Sequence, residues 1–327
     1  MDFNEAKVKF EQLFTNQMSQ EEAKSFLVQL YERGESADEI AAATQVMRSH
    51  SLKLEVPQEL KVKLVDTVGT GGDKIGSVNI SSTVSLLLAS MQVPVAKHGN
   101  RSITSKSGSA DMLEALGVNL NLEPQKQLVM LQETGFTFLF AQNFHPAMKY
   151  IMPIRKSLDH RTIFNILGPL CNPADVSRLA VGVFDKDYII PIAKALNMLD
   201  TTKAVVVSAA DGMDEISISA VTYATMIENG EIKEFEIDPT FYGLKLYDQK
   251  EILGGDAHIN ARITKDVLSG VISGAKRDIT LINAALSFVV AGVARDIQDG
   301  IEMAREAIDS KKAINHLQKI IDVSSKL

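Results

Sequence analysis

From Lys63 onward the chain keeps switching hydrophobic period, and this alternation constrains the fold more than any other feature of the sequence. Short β-type runs at Leu64–Thr67, Val93–Ala96, Phe136–Phe140, Leu179–Phe184 and Ala204–Val207 are separated by helical segments expected over Ile80–Met91, Ala110–Leu116, Gln125–Thr134 and Tyr188–Leu199. Strands alternating with helices read as βαβ units, and hence as a mostly parallel sheet flanked by helices. Met226–Glu228 and Glu231–Glu236 flank Asn229-Gly230, the dipeptide of a tight hairpin turn, and the last seventy residues are again helical.

The first sixty residues carry helical signals only. Ser19 with Glu22 and Ser36 with Glu39 match capping boxes, Phe26, Leu27, Leu30 and Tyr31 recur at helical spacing, and Gly34 is placed to stop that helix. Pro57 marks a linker. The division expected is a helical domain at 1–62 and an α/β domain at 63–327. Two helical stretches within about 145–172 follow one another without a strand and are expected to join the N-terminal helices in space.

At 327 residues the chain is long enough for a substantial core, and 45% apolar with 23% charged residues is a globular composition. The net charge of −7 argues against coating nucleic acid or anionic membrane. The single Cys171 excludes an intramolecular disulfide. Met1 to Phe14 carries Asp2, Glu5 and Glu11 and lacks the apolar core of a signal peptide. The most apolar later stretch, 284–294, is shorter than the roughly 20 residues that span a bilayer. A cytoplasmic protein with neither nucleic-acid nor membrane partners is expected.

Chemistry is concentrated at the ends of the expected strands. Gly69-Thr70-Gly71-Gly72-Asp73 follows the first, ahead of a helix opening near Asn79-Ile80-Ser81-Ser82. Backbone N–H groups freed by glycine and a helix N-terminus suit a phosphate, although a plain strand-to-helix turn has the same composition. After the second strand, 97–109 brings Lys97, Arg101 and Lys106 with four Ser/Thr between Ser102 and Ser107, and no acid before Asp111. In an acidic chain such a loop suits an anion. Two such loops at the carboxyl edge of one sheet reinforce each other, because open α/β sheets bind ligands there. Asp211-Gly212-Met213-Asp214-Glu215, after the strand at 204–207, offers hard oxygen ligands for Mg²⁺ at the same edge. Arg155 and Arg161 both offer guanidinium forks for a carboxylate, and composition does not choose between them. The six histidines show no metal-ligand spacing.

These motifs, in this order, resemble the anthranilate phosphoribosyltransferase family: Gly69-Thr70-Gly71-Gly72-Asp73, Asn79-Ile80-Ser81-Ser82, Lys97-His98-Gly99-Asn100-Arg101, Ser107-Gly108-Ser109-Ala110-Asp111 and Asp211-Gly212-Met213-Asp214-Glu215. His145-Pro146-Ala147-Met148-Lys149, Arg161 to Asn165, Leu167-Gly168-Pro169-Leu170, Asn260-Ala261 and Asn283-Ala284-Ala285 extend the resemblance over essentially the whole chain. It implies the fold of nucleoside phosphorylases and related phosphoribosyltransferases rather than the common type I phosphoribosyltransferase fold. It also implies a homodimer and Mg²⁺-dependent transfer of phosphoribose from phosphoribosyl pyrophosphate to anthranilate, in tryptophan biosynthesis. By resemblance, Gly69, Gly72, Asp73, Ser77, Asn79, Ile80, Ser81, Ser82, Lys97, His98, Gly99, Asn100, Arg101, Ser102, Ile103, Thr104, Ser105 and Ser109 hold the phosphoribosyl pyrophosphate. Ser81, Asp214 and Glu215 hold magnesium, and Gly69, Asn100, Arg155, His98 and Pro169 meet anthranilate, which makes Arg155 the expected carboxylate partner.

Four places depart from the family pattern. Ser77 and Ser82 stand where Thr is usual, Asp159-His160 replaces a Gly and an apolar residue, and Ser208-Ala209-Ala210 precedes the acidic motif where many members carry His and Gly. No residue's context identifies a general base. The competing readings are a pyrimidine nucleoside phosphorylase, which needs no paired magnesium carboxylates, and a non-catalytic nucleic-acid-binding relative, which the acidic charge disfavours.

Overall fold

The structure is a computed structural model that describes residues 1–102 and 106–327. Five parallel strands form most of one sheet: β1 (Val65–Gly69), β2 (Val95–Gly99), β3 (Phe136–Phe140), β4 (Arg178–Gly182) and β5 (Lys203–Ala209). The antiparallel hairpin of β6 (Thr222–Glu228) and β7 (Glu231–Ile237) completes it, in the order β3-β2-β1-β4-β5-β6-β7. The four helices expected between strands form at Ile80–Ser90, Ser109–Leu116, Pro124–Thr134 and Ile189–Met198. β4 ends at Gly182, short of its apolar run: Val183 still donates its amide to the Val207 carbonyl at 2.8 Å, but the Phe184 amide turns to Thr70 Oγ1.

Period-two alternation divides the interior into two main cores, one on each face. Along β5, Val205 and Val207 face the helices at Ile80–Ser90, Ala275–Ala291 and Ile297–Asp309, while Ala204 and Val206 face the opposite layer. That second core runs from β4 and β5 through the Ile189–Met198 helix to the N-terminal helices Phe3–Phe14, Gln20–Arg33 and Ala37–Ser49. Ile151, Ile163, Phe164, Ile166 and Leu167 belong to it too, so the stretches Met148–Lys156 and Phe164–Leu167 pack on the N-terminal helices. Both expected capping boxes form, and a third, Asp2 with Glu5, opens the first helix. Pro57 caps a single helical turn at Gln58–Lys61 instead of lying in an open linker. No helix among the described residues is long and apolar enough to cross a membrane.

Candidate functional site at the carboxyl edge of the sheet

β1, β2, β4 and β5 all run in the same direction, so the segments at 69–73, 99–102, 182–184 and 209–215 leave one edge together. The acidic segment settles closest. Gly69 and Gly182 are register partners at the ends of β1 and β4, and a Cβ on either would collide with Asp214. Two glycines side by side open the space in which Asp214 lies against the ladder. From there its carboxylate accepts a 2.6 Å hydrogen bond from the Gly71 amide, while Thr70 donates its N–H to the Gly182 carbonyl at 2.9 Å.

Glu215 reaches the neighbouring helix. Asn79 precedes the Ile80–Ser90 helix but does not cap it with its side chain, and the Ser81 amide donates instead to the Glu215 carboxylate at 3.1 Å. A carboxylate at a helix N-terminus is favoured by the free N–H groups there. The Asn79 amide serves as a strut: its oxygen accepts from Asn260 at 2.8 Å, and its nitrogen donates to the Ser107 carbonyl at 3.3 Å.

Burial first, and then the adjacent Asp73, pushes the Asp214 carboxyl above its ordinary range. Burial and Asp214 do the same to Glu215, against the pull of Lys97. Among the described residues no group of three or more His, Cys, Asp or Glu side chains forms a complete metal site. What converges here is a partial set of hard oxygen donors, Asp214, Glu215 and the Ser81 hydroxyl, in a region of surplus negative charge. That chemistry fits Mg²⁺ with its shell completed by phosphate oxygens and water.

Lys97 is 1% exposed and lies beneath this set, its ammonium donating to the Thr67 carbonyl at 2.6 Å and to Ser81 Oγ at 3.4 Å. Burial pulls the Lys97 pKa down, and the Asp66 and Glu215 carboxylates oppose that. Asp66 is fully buried in β1, where burial raises it to about 6 and Lys97 works against the rise. Its oxygens accept from the His98 amide at 3.3 Å and from the Asn172 side chain at 2.8 Å, and Asn172 also donates to the Ala96 carbonyl at 2.7 Å. Neither Asp66 nor Asn172 was among the expected site residues. One signal was legible: a carboxylate interrupting the apolar run of a strand buried on both faces.

His98 Nδ1 lies 3.0 Å from the Gly168 carbonyl, which can only accept, so Nδ1 carries the proton and Nε2 accepts from His145 Nε2 at 3.2 Å. Burial holds both rings neutral, at about 3 for His98 and about 4 for His145. Gly168 precedes Pro169, so this pair ties the segment around residue 169 to β2.

The structure separates the two candidate arginines. Arg155 is half-buried over the Phe164 ring at 5.5 Å, its one polar neighbour being the Met152 sulfur at 3.9 Å, and it makes no ion pair among the described residues. Arg161 is engaged elsewhere, on the Gly72 carbonyl and the Phe184 ring. Arg101 turns its side chain to acidic partners. Its guanidinium pairs with Asp111 at 2.9 Å and with Glu114, because the Ser109–Leu116 helix folds its acids back onto the loop. Ser102 lies beside it with its amide on Asp111 at 3.0 Å. Ser82 is buried, Ser77 forms a bridge with Leu253, and Ser109 donates to the Asn100 carbonyl at 3.2 Å. Ile103, Thr104 and Ser105 lie outside the described residues. A cavity of about 20 Å³ behind Ser81 and Glu215 has room for a single water.

Residues 61–314 match the model of a glycosyl transferase family α/β domain, and residues 2–51 match that family's helical bundle domain. Anthranilate phosphoribosyltransferase from Xanthobacter autotrophicus is 46% identical over 324 residues, covering 99% of this chain and 93% of that one. The chain belongs to the anthranilate phosphoribosyltransferase family. Among solved structures, the family member from Thermus thermophilus superposes with a TM-score of 0.91 at 36% identity, covering 99% of this chain and 96% of that one. The Saccharomyces cerevisiae enzyme in complex with PRPP and Mg superposes with a TM-score of 0.88 at 28% identity, covering 99% and 93%.

Proposed function

We propose that the protein transfers the 5-phosphoribosyl group from phosphoribosyl pyrophosphate to the amine of anthranilate, releasing pyrophosphate, as a step of tryptophan biosynthesis. The observation that carries this reading is the convergence of Asp214 and Glu215 on the Gly71 and Ser81 amides, beside the buried ammonium of Lys97. Ser81, Asp214 and Glu215 would hold a magnesium ion, which when bound would supply positive charge for the leaving pyrophosphate. The protein contributes fixed donors. The 69–73 loop and the N-terminus of the Ile80–Ser90 helix would face the phosphates, with Lys97 behind them, where charge grows as the C1–O bond breaks. Ser77, Asn79, Ser82, Gly99 to Ser105 and Ser109 complete the proposed donor site, Arg101 through its backbone alone.

On the acceptor side Arg155 offers its fork to the anthranilate carboxylate, with Asn100, His98, Gly69 and Pro169 around the ring. The neutral amine bonds to C1 as pyrophosphate leaves and releases its proton afterwards, so alignment contributes more than a dedicated base. We also propose a cytoplasmic homodimer in which the helical domain (1–62, with the helices within 145–172) is hinged to the α/β domain (63–327). Light scattering at assay concentration tests the dimer. For the reaction itself, anthranilate fluorescence is expected to decay when phosphoribosyl pyrophosphate and Mg²⁺ are added together, and not when either is withheld. No decay with folded protein overturns the reading.

A further inference from the structure

Arg161 stands outside the residues assigned above, yet it is the only described side chain joining the helical layer to the glycine-rich loop through a cation on a ring. Its guanidinium lies 3.6 Å from the centre of the Phe184 ring, and its Nη2 donates to the Gly72 carbonyl. Gly72 adopts a φ of +81°, and a Cβ there would come within 3.0 Å of that same Nη2. The platform under the arginine is itself anchored on the loop, since the Phe184 amide donates to Thr70 Oγ1 at 3.2 Å.

Behind Arg161 the contacts lead back to the N-terminal helices. His160 donates from Nδ1 to the Arg161 carbonyl at 2.7 Å, and its ring stacks on Tyr31 of the Gln20–Arg33 helix at 4.0 Å and 17°. Phe184 meets Tyr188 edge-on at 5.4 Å, and the Tyr188 phenol donates to Glu35 at 3.0 Å. Two routes therefore run from residues 31–35 to the loop, one through each partner of the stacked pair.

A peptide is planar and trans, so its C=O and the following N–H point in opposite directions. Drawing the Gly72 carbonyl to one side sends the Asp73 amide to the other. Thr70 is then fixed by Gly182 and Phe184, Gly71 by Asp214 and Gly72 by Arg161.

Resting on the phosphoribosyltransferase reading above, we propose that Arg161 is a positioning residue for the phosphoribosyl donor. By gripping the Gly72 carbonyl on the Phe184 platform it presets the Gly72–Asp73 peptide, and the Tyr31–His160 stack ties that setting to the helical domain.

The test is initial-rate kinetics with each substrate varied in turn, alongside calorimetric titration of phosphoribosyl pyrophosphate with Mg²⁺. Arg161→Ala is expected to raise the KM and Kd for phosphoribosyl pyrophosphate about tenfold, the equivalent of one charge-assisted hydrogen bond, with the KM for anthranilate within about twofold of wild type. Arg161→Lys, which keeps the charge but loses the planar fork, is expected to fall between the two. Tyr31→Ala, remote from both substrates, is expected to shift the same parameter about twofold to threefold. These two carry the test if the alanine variant at 161 fails to fold. An unchanged donor KM and Kd in Arg161→Ala, or equal rises for both substrates, overturns the proposal. A wild-type protein that consumes no anthranilate overturns the functional reading instead, and the donor titration then still decides the role of Arg161.

Discussion

The two halves of the sheet's carboxyl edge follow opposite electrostatic plans. Over β1, β4 and β5 the structure gathers charge: Asp214 and Glu215 crowd together, and Lys97 is buried behind them with Asp66. Over β2 and the segment at 145–172, burial removes charge from His98 and His145, and Arg155 lies half-buried with no acidic partner among the described residues. The first half suits a reaction partner that arrives and leaves as a polyanion. The second suits a planar molecule with a single carboxylate and a neutral amine. The contrast shows why the net charge of −7 says little about the ligand: each half is set by local pairing rather than by the total.

The largest test of this contrast removes the charged half. Asp214→Ala or Glu215→Ala is expected to lower Mg²⁺-dependent kcat by about a hundredfold or more, on the scale of losing preorganised transition-state stabilisation. Steady-state rates across a magnesium titration check it, and full activity in both variants would remove the metal assignment. Next, Asp66→Ala removes the carboxylate that acts most strongly on the buried Lys97 ammonium. Breaking a buried pair from one side costs about 3–5 kcal/mol, to be read from denaturant unfolding. A loss under about 1 kcal/mol, the range of exposed pairs, would mean that Asp66 does not support Lys97.

On the other half, Arg155→Ala is expected to raise the anthranilate KM about tenfold or more and to leave the donor KM nearly unchanged, since a guanidinium–carboxylate fork is lost. The smallest effect is the pH dependence of the histidine pair. Both folded pKa values, about 3 and about 4, lie below the ordinary 6.5, so in that window the unfolded chain binds protons that the native protein does not. Stability is then complete above about pH 6.5 and falls as pH drops toward 4, each histidine contributing a slope of up to about 1.4 kcal/mol per pH unit. Replacing His145 by Gln is expected to flatten that slope, as followed by thermal unfolding between pH 7 and 4.5.

How much of this was legible before folding follows the range of the interactions. Hydrophobic period placed the five parallel strands, the Asn229-Gly230 turn placed the hairpin though only the last three residues of β6, and the spacing from Ser19 to Glu22 placed a helix start, because each is set within a few residues. Arg101 shows the limit. Its loop reads as free positive charge, yet Asp111 and Glu114 sit one helical turn apart and swing back onto it once Gly108 starts the helix. The roles of Arg155 and Arg161, six residues apart, are divided by Phe184 and Gly72, which only the tertiary fold brings near. Asp66 could be flagged as out of place in a buried strand, but its partner Asn172 lies 106 residues away.

The facing glycines of β1 and β4 give the sheet the office of a ruler. Gly69 and Gly182 stand opposite one another, so the location of Asp214 is measured off the hydrogen-bonded ladder and owes little to the stiffness of its own loop. A slip of one residue between these strands would present Val68 or Val181 where a glycine now leaves room, and the carboxylate would have nowhere to settle. The corner proposed to hold magnesium is thus set by strand register, and a change in the pairing of β1 with β4 is expected to displace Asp214.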